Sequence, residues 1–523
     1  MKFELSPKNQ AALEPVVAEL IGAEIASRIS EKDSTIWGAQ AQPEASIRLG
    51  WVTSSHDSVP LVPEILKLRD EFRAQGVNRF VLCGMGGSSL APEVITKTSK
   101  VELVVLDSTA PDQVAAALID LERTAVVVSS KSGSTVETDS QKRAFETAFR
   151  AAGIDPLGRI VIVTDPGSPM DQATRTAGYK VFNADPTVGG RYSALTAFGL
   201  VPSGLAGADI AGLLASASSA GATLQSDSMD NPALWLGALL ARTPNAAGFK
   251  DKFLIETDGL SGFGDWVEQL VAESTGKEQK GTLPVVVTAT APEIRNVPKD
   301  TLLIRFADLV PGIEDATFYG SLGELFLLWE YATAVAGYLQ GINPFDQPNV
   351  ESAKIAARSL LDSPTVKPTP DFVDDGISVK AYGFELKVNT LATAIEQVLS
   401  MVREDSYISI HAYLNRMEYP QLESLRDALA AKTSRPVTFG WGPRFLHSTG
   451  QYHKGGPRQG VFIQLLGDFG MDLEIEGRPF SFGTLISAQA AGDAQVIADN
   501  ELPVITITMP EPLAGLEKLK QVL

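Results

Sequence analysis

Residues Thr124 to Phe149 read "TAVVVSSKSGSTVETDSQKRAFETAF". Three consecutive valines, Val126–Val128, have the length and β-branched character of a strand buried on both faces. A knot of hydroxyls around one lysine follows: Ser129, Ser130, Lys131, Ser132, Ser134 and Thr135. From Thr135 onward the spacing of apolar residues becomes helical, so the stretch predicts strand, turn and helix, one βα unit. The same grammar recurs on either side in "RFVLCG", "ELVVLDS" and "RIVIVTD", each ending in Gly, Ser or Asp. A second series begins near Asn231 with "KFLIETD", "LPVVVTA" and "TLLIRFA". A third, with "SYISIHAYL", "VTFGWG", "GVFIQLL" and "PVITITM", lies beyond the Pro- and Asp-rich stretch Asp362–Asp375, which reads as a linker. The expected fold is α/β. Two lobes with parallel sheets flanked by helices span 61–210 and 211–361, a helical segment occupies 1–60, and a smaller C-terminal α/β unit covers 376–523.

With 523 residues the chain exceeds what one hydrophobic core supports. Its 44 Lys+Arg against 63 Asp+Glu give a net charge of −19. With no offsetting basic stripe, this argues against nucleic acid or an anionic membrane as partner. The most membrane-like run, Leu325–Leu339, is shorter than the roughly 20 residues needed to cross a bilayer and contains Glu330, so it predicts a buried core helix. One cysteine, Cys83, and a start without an apolar leader point to a reducing, cytoplasmic setting. Any anion bound by so acidic a chain must be captured locally.

Two loops are suited to that. The hydroxyl knot stands where a helix begins, so unpaired backbone amides, the helix dipole and the side chains of Ser130, Ser132 and Thr135 converge, with Lys131 adding a point charge. The second loop, "CGMGGSSLAPEV" from Cys83 to Val94, places Gly84, Gly86 and Gly87 for close backbone approach and offers Ser88 and Ser89. Alone it nearly fits a dinucleotide fingerprint, with Asp107 about twenty residues on. Against that reading, Ser89 replaces the third glycine, and a dinucleotide fold has no use for a second hydroxyl-rich loop.

Candidate acid–base groups follow. Arg191 lies in "DPTVGGRYSALTAFGL", where Gly189 and Gly190 free a guanidinium to reach a cleft. In "GFGDWVEQLVAESTGKEQKG", Trp266, Gln269 and Glu273 share one helical face, placing a carboxylate beside an aromatic as a general base would require. Lys354 follows in "GINPFDQPNVESAK".

These stretches, taken together and in order, resemble the glucose-6-phosphate isomerase family of the sugar isomerase (SIS) superfamily over roughly residues 60 to 360. "INPFDQPNVE" and the C-terminal "HSTGQYHKGGP" are similar to the isomerase half of transaldolase–isomerase fusion proteins. The resemblance implies interconversion of glucose 6-phosphate and fructose 6-phosphate through a cis-enediolate, without metal or other cofactor, in a homodimer whose partner is a small hexose phosphate. It assigns Gly87, Ser88, Ser130, Lys131, Ser132, Thr135 and Gln269 to substrate binding. Glu273 becomes the base between C1 and C2, Arg191 the stabiliser of the enediolate, and Lys354 a participant in ring opening. A non-catalytic phosphosugar sensor of the same superfamily is the alternative, and it would need the two loops without Glu273, Arg191 and Lys354 together.

One departure stands out. The family's ring-opening histidine, given by the neighbouring subunit, is expected between Lys277 and Lys354, where this chain has none. His447 of the C-terminal unit is the candidate replacement. His453, Glu324 or Lys354 acting alone remain open alternatives.

Overall fold

In the computed structural model the chain is described except for residues 247, 258, 307–314 and 362–368 and the side chains of 351–354 and 357. The valine run forms the strand Thr124–Ser129, third in a five-stranded parallel sheet ordered Val104–Leu106, Arg79–Gly84, Thr124–Ser129, Ile160–Thr164 and Lys180–Asn183. Alternation along these strands explains why their sequences are apolar throughout. Val81, Cys83, Val126 and Val128 face one core, whereas Phe80, Leu82, Ala125 and Val127 face another. The second series builds a five-stranded sheet ordered Lys2–Leu5, Ala316–Tyr319, Thr301–Arg305, Lys252–Glu256 and Leu283–Val287.

The N-terminal segment is therefore not only helical. Lys2–Leu5 pairs antiparallel with Ala316–Tyr319, and Leu13, Val17 and Leu20 of the helix Pro7–Gly22 enter the central core shared by both lobes. Leu325–Leu339 lies within the buried helix Leu322–Gln340, as its length predicts, and no helix among the described residues is long and apolar enough to cross a membrane. The expected linker lies outside the described residues over 362–368, and at its other end Phe372–Asp374 is an edge strand antiparallel to Ile377–Tyr382.

The C-terminal sheet has six strands, ordered Phe372–Asp374, Ile377–Tyr382, Val504–Met509, Gly460–Gly467, Tyr407–Tyr413 and Val437–Trp441. One face packs on its own helices through Ile408, Ile410, Val461 and Ile505. The other carries Tyr407, Phe462 and Val504 into the outer face of the second lobe, against Leu254, Val285 and Leu303. Ile475, Phe482 and Leu485 meanwhile join Val81, Val126 and Phe145 on the outer face of the first lobe. The C-terminal unit thus straddles both lobes, and this is what delivers its loops to the cleft between them.

Candidate active site

A cavity of about 370 Å³ opens at the carboxyl ends of the first lobe's strands, where open parallel sheets form their crevices. Gly87, Ser88, Ser130, Lys131, Ser132 and Thr135 line it from the first lobe, Arg191 from the turn after that lobe's last strand, Gln269 and Glu273 from the second, and His447 from the C-terminal unit. Arg48, Asp165, Gln347 and Val350 complete the wall.

In the hydroxyl loop, Ser130 Oγ donates to Thr135 Oγ1 at 3.1 Å and accepts from the Gly133 amide at 3.2 Å. Gly133 has φ +68°, a left-handed turn that glycine enters without steric cost. The helix Val136–Ala151 then starts from Thr135 without a side-chain cap, which leaves its first amides available to an anion. Lys131 is not the isolated point charge the sequence suggests, since its Nζ lies 2.5 Å from Asp165 Oδ2. Burial pushes the Lys131 ammonium below its ordinary range and the Asp165 carboxyl above its own, each restrained by the other. The loop therefore presents mainly hydroxyls and amides.

The glycine loop earns its composition by contact. A Cβ on Gly87 would lie 2.0 Å from the Gly190 carbonyl oxygen, so only glycine lets the short turn Gly190–Tyr192 close on it. Tyr192 stacks on Trp51 with centroids 5.3 Å apart, fixing that turn from below. Arg191, 3 % exposed, is held on all sides. Its Nε donates to Ser274 Oγ at 2.6 Å, Nη1 to Gln347 Oε1 at 2.8 Å, and Nη2 to the carbonyls of Pro344 at 2.7 Å and Asp346 at 3.0 Å. Lys277 clamps the same loop from the other side, donating to the carbonyls of Asn343 at 2.6 Å and Asp346 at 2.5 Å and to Asp346 Oδ1 at 2.6 Å. Burial, and then the Arg191 charge, lower its pKa to about 8.

Glu273 is half-buried near the end of the helix Phe263–Thr275. Oε1 lies 3.8 Å from Arg191 Nη1, and Oε2 accepts from Gln269 Nε2 at 3.1 Å. Trp266, two turns earlier, packs instead with Phe326 at 4.6 Å in the core, so the partners found for Glu273 are polar. Gln269 Nε2 also donates to the His447 carbonyl at 2.7 Å, tying the second lobe to the C-terminal unit. His447 Nε2 lies 3.1 Å from Glu137 Oε1, and Glu137 accepts from Gln489 Nε2 at 2.7 Å.

His453 and Glu324 are placed elsewhere. His453 is sealed inside the C-terminal unit, its Nδ1 2.9 Å from Tyr407 Oη. Glu324 caps its own helix at Ser321 and pairs with the Met1 amine at 3.2 Å. Lys354 belongs to the helix Val350–Leu361, but its side chain lies outside the described residues. Asp107, on which a dinucleotide reading depends, is buried and ion-paired with Arg416 at 3.3 Å and Arg444 at 3.0 Å. Sequence reasoning missed Glu137, Asp165, Lys277 and Gln347. All four stand inside stretches quoted above, but what gives each its place is a contact distant in sequence, and the pairing of Glu137 with a residue 310 positions away left no local trace.

Comparison with known proteins places these features in context. A family model described as phosphoglucose isomerase matches residues 71–294. The chain is 30% identical over 338 residues to a probable glucose-6-phosphate isomerase of Haloarcula marismortui, the match covering 54% of this chain and 77% of that protein. It is 27% identical over 424 residues to a probable glucose-6-phosphate isomerase of Methanococcus maripaludis, covering 69% and 95%. Among solved structures, a hypothetical protein from Thermus thermophilus superposes with a TM-score of 0.58 at 25% identity, covering 69% of this chain and 100% of that one. A glucose-6-phosphate isomerase from Chlamydia trachomatis shares the fold, with a TM-score of 0.53 at 20% identity over 68% of this chain and 85% of its own.

Proposed function

The chain belongs to the glucose-6-phosphate isomerase family, and from that premise we propose that its central cavity interconverts glucose 6-phosphate and fructose 6-phosphate. The observation that carries the proposal is a carboxylate, Glu273, sharing one cavity with a hydroxyl-and-amide loop and facing a fixed guanidinium. Ser88, Ser130, Ser132 and Thr135 take the phosphate, aided by the amides at the start of the helix Val136–Ala151 and by Lys131. Gly87 lets the backbone approach, and Gln269 orients the sugar and the base together.

With the phosphate anchored, Glu273 takes the proton from C2 of the open aldose and O1 gains a proton as C=C forms between C1 and C2; Glu273 then returns its proton to C1 while the O2 hydroxyl gives up its own and C=C is replaced by C2=O. The reverse path begins at C1. Arg191 faces the negative charge that develops on the enediolate oxygen, and because its hydrogen bonds already fix it, little reorganisation is needed during the reaction. Before isomerisation the ring must open: the anomeric hydroxyl gives up its proton, the bond from C1 to the ring oxygen breaks, and that oxygen gains a proton. His447, oriented by Glu137, handles these protons, with Lys354 as second participant. The reaction calls for no metal or nucleotide. A purely sensing module would have no use for a buried base–guanidinium pair, which favours the enzyme. The wider reading is a cytoplasmic homodimer, in keeping with a single buried cysteine, Cys83.

The test is conversion of fructose 6-phosphate in deuterium oxide with chelator present. Glucose 6-phosphate labelled at C2 is expected. Absence of any conversion would refute the assignment.

A further inference from the structure

We infer that each chain carries a complete reacting centre of its own, the C-terminal unit closing the cleft on the side where a second subunit would otherwise have to contribute. The inference rests on the isomerase reading above and adds that association of two chains supplies no group to the site.

Three close approaches of backbone establish the closure. A Cβ on Gly86 of the glycine loop would lie 2.8 Å from the His447 carbonyl oxygen, and one on Gly276, at the end of the Glu273 helix, 2.4 Å from Tyr452 Cα. On the C-terminal unit, a Cβ on Gly455 would meet Asn349 Oδ1 at 2.4 Å. The segment 447–455 therefore touches, in turn, the phosphate-facing loop, the helix of the base and the loop that holds Arg191. The ground between these three elements is thus occupied by the chain's own segment.

Buried charge fixes the unit in that place. Arg444, three residues before His447, reaches into the first lobe to Glu93 at 2.6 Å and Asp107 at 3.0 Å, both carboxylates buried. Arg435 pairs with Asp300 of the second lobe at 2.6 Å. Gln451 donates to the Gly276 carbonyl at 2.8 Å and accepts from the Asn349 amide at 2.9 Å. Detaching the unit would strand buried Asp107 without Arg416 and Arg444 and leave buried Glu93 with Lys97 alone, so the unit belongs to the folded body and is not a hinged accessory.

Isomerase turnover of the wild type is to be followed from micromolar to sub-nanomolar protein, with particle mass measured by mass photometry at each concentration. Turnover per chain is expected to stay constant, including where the particles are single chains. A fall that tracks dissociation would overturn the inference. If chains stay paired throughout, a doubly tagged heterodimer of one Glu273→Gln chain and one His447→Ala chain decides. One-chain centres give no more than the mean of the two homodimers, whereas centres shared between chains rebuild one intact site and about half of wild-type turnover. Equal melting temperatures must accompany the variants, and His447→Asn replaces the alanine variant should that one melt early. A fully active His447→Ala homodimer would remove the group on which this inference stands, and an inactive wild type would instead refute the isomerase reading.

Discussion

Replacing Gly87 with alanine probes how the two loops of the cavity are assembled. The added methyl would begin 2.0 Å from the Gly190 carbonyl oxygen and 2.4 Å from its carbon, whereas Cβ atoms essentially never come within 3.0 Å of another heavy atom. The glycine loop and the Arg191 turn must therefore part by about 1 Å, and both obstructing atoms are backbone, so no side chain can swing aside. Overpacking of this kind costs about 1–3 kcal/mol, and a displacement of about 1 Å between groups that act on one substrate costs on the order of 10²-fold in rate. Gly87→Ala should thus lower kcat/KM for fructose 6-phosphate by about two orders of magnitude while lowering the melting temperature only modestly. A coupled assay for glucose 6-phosphate, with differential scanning fluorimetry on the same samples, reads both. Gly158→Ala, which meets nothing within 4 Å, is the control. Wild-type kcat/KM in the Gly87 variant would refute the claim that this contact sets the distance between the phosphate loop and Arg191.

Lys131→Met should raise KM about tenfold, near 1.4 kcal/mol, with kcat changed less than about threefold, because the ammonium is already paired with Asp165; steady-state kinetics separate the two. Lys277 should impose an alkaline limb on kcat/KM near pH 8, since losing its proton removes the charge and one of the three donors that hold the Asn343–Asp346 loop behind Arg191, and Lys277→Arg should shift that limb upward. The stability term has the opposite sign. The folded value lies below that of free lysine, so between about pH 8 and 10.4 the unfolded chain binds more protons, and Lys277's own contribution favours folding as pH rises through that window. Asp493→Asn should cost about 3–5 kcal/mol by leaving Lys454, 2.6 Å away and buried, without its partner. Much of the loss in melting temperature should return in the Lys454→Met, Asp493→Leu double variant.

The strands were legible because a parallel sheet covered on both faces writes itself as uninterrupted apolar runs, and every such run quoted from the sequence lies on a strand. The hydroxyl knot, Arg191 and the Gln269–Glu273 face were legible for a related reason: each is a short motif whose chemistry is local. What escaped was set by tertiary contact. The strand Lys2–Leu5 is only four residues long and is recruited by the far edge Ala316–Tyr319. Asp165 sits 34 residues from the lysine it neutralises. Glu273 meets Arg191 and Gln269, while Trp266, on the same helical face, packs with Phe263 and Phe326. The seating of the C-terminal unit across both lobes follows from apolar and charged faces on three separate sheets, and no local pattern encodes it.

Glu273→Gln keeps the shape of the side chain and its place beside Gln269 while removing the ability to take a proton. Its rate of fructose 6-phosphate conversion, set against protection of the folded protein by inorganic phosphate, is the most direct measurement of whether one carboxylate works over an anchored sugar. Turnover should fall on the order of 10²–10⁴-fold with phosphate protection unchanged. Turnover equal to the wild type would contradict the assignment of the base and, with it, the chemistry built on that residue.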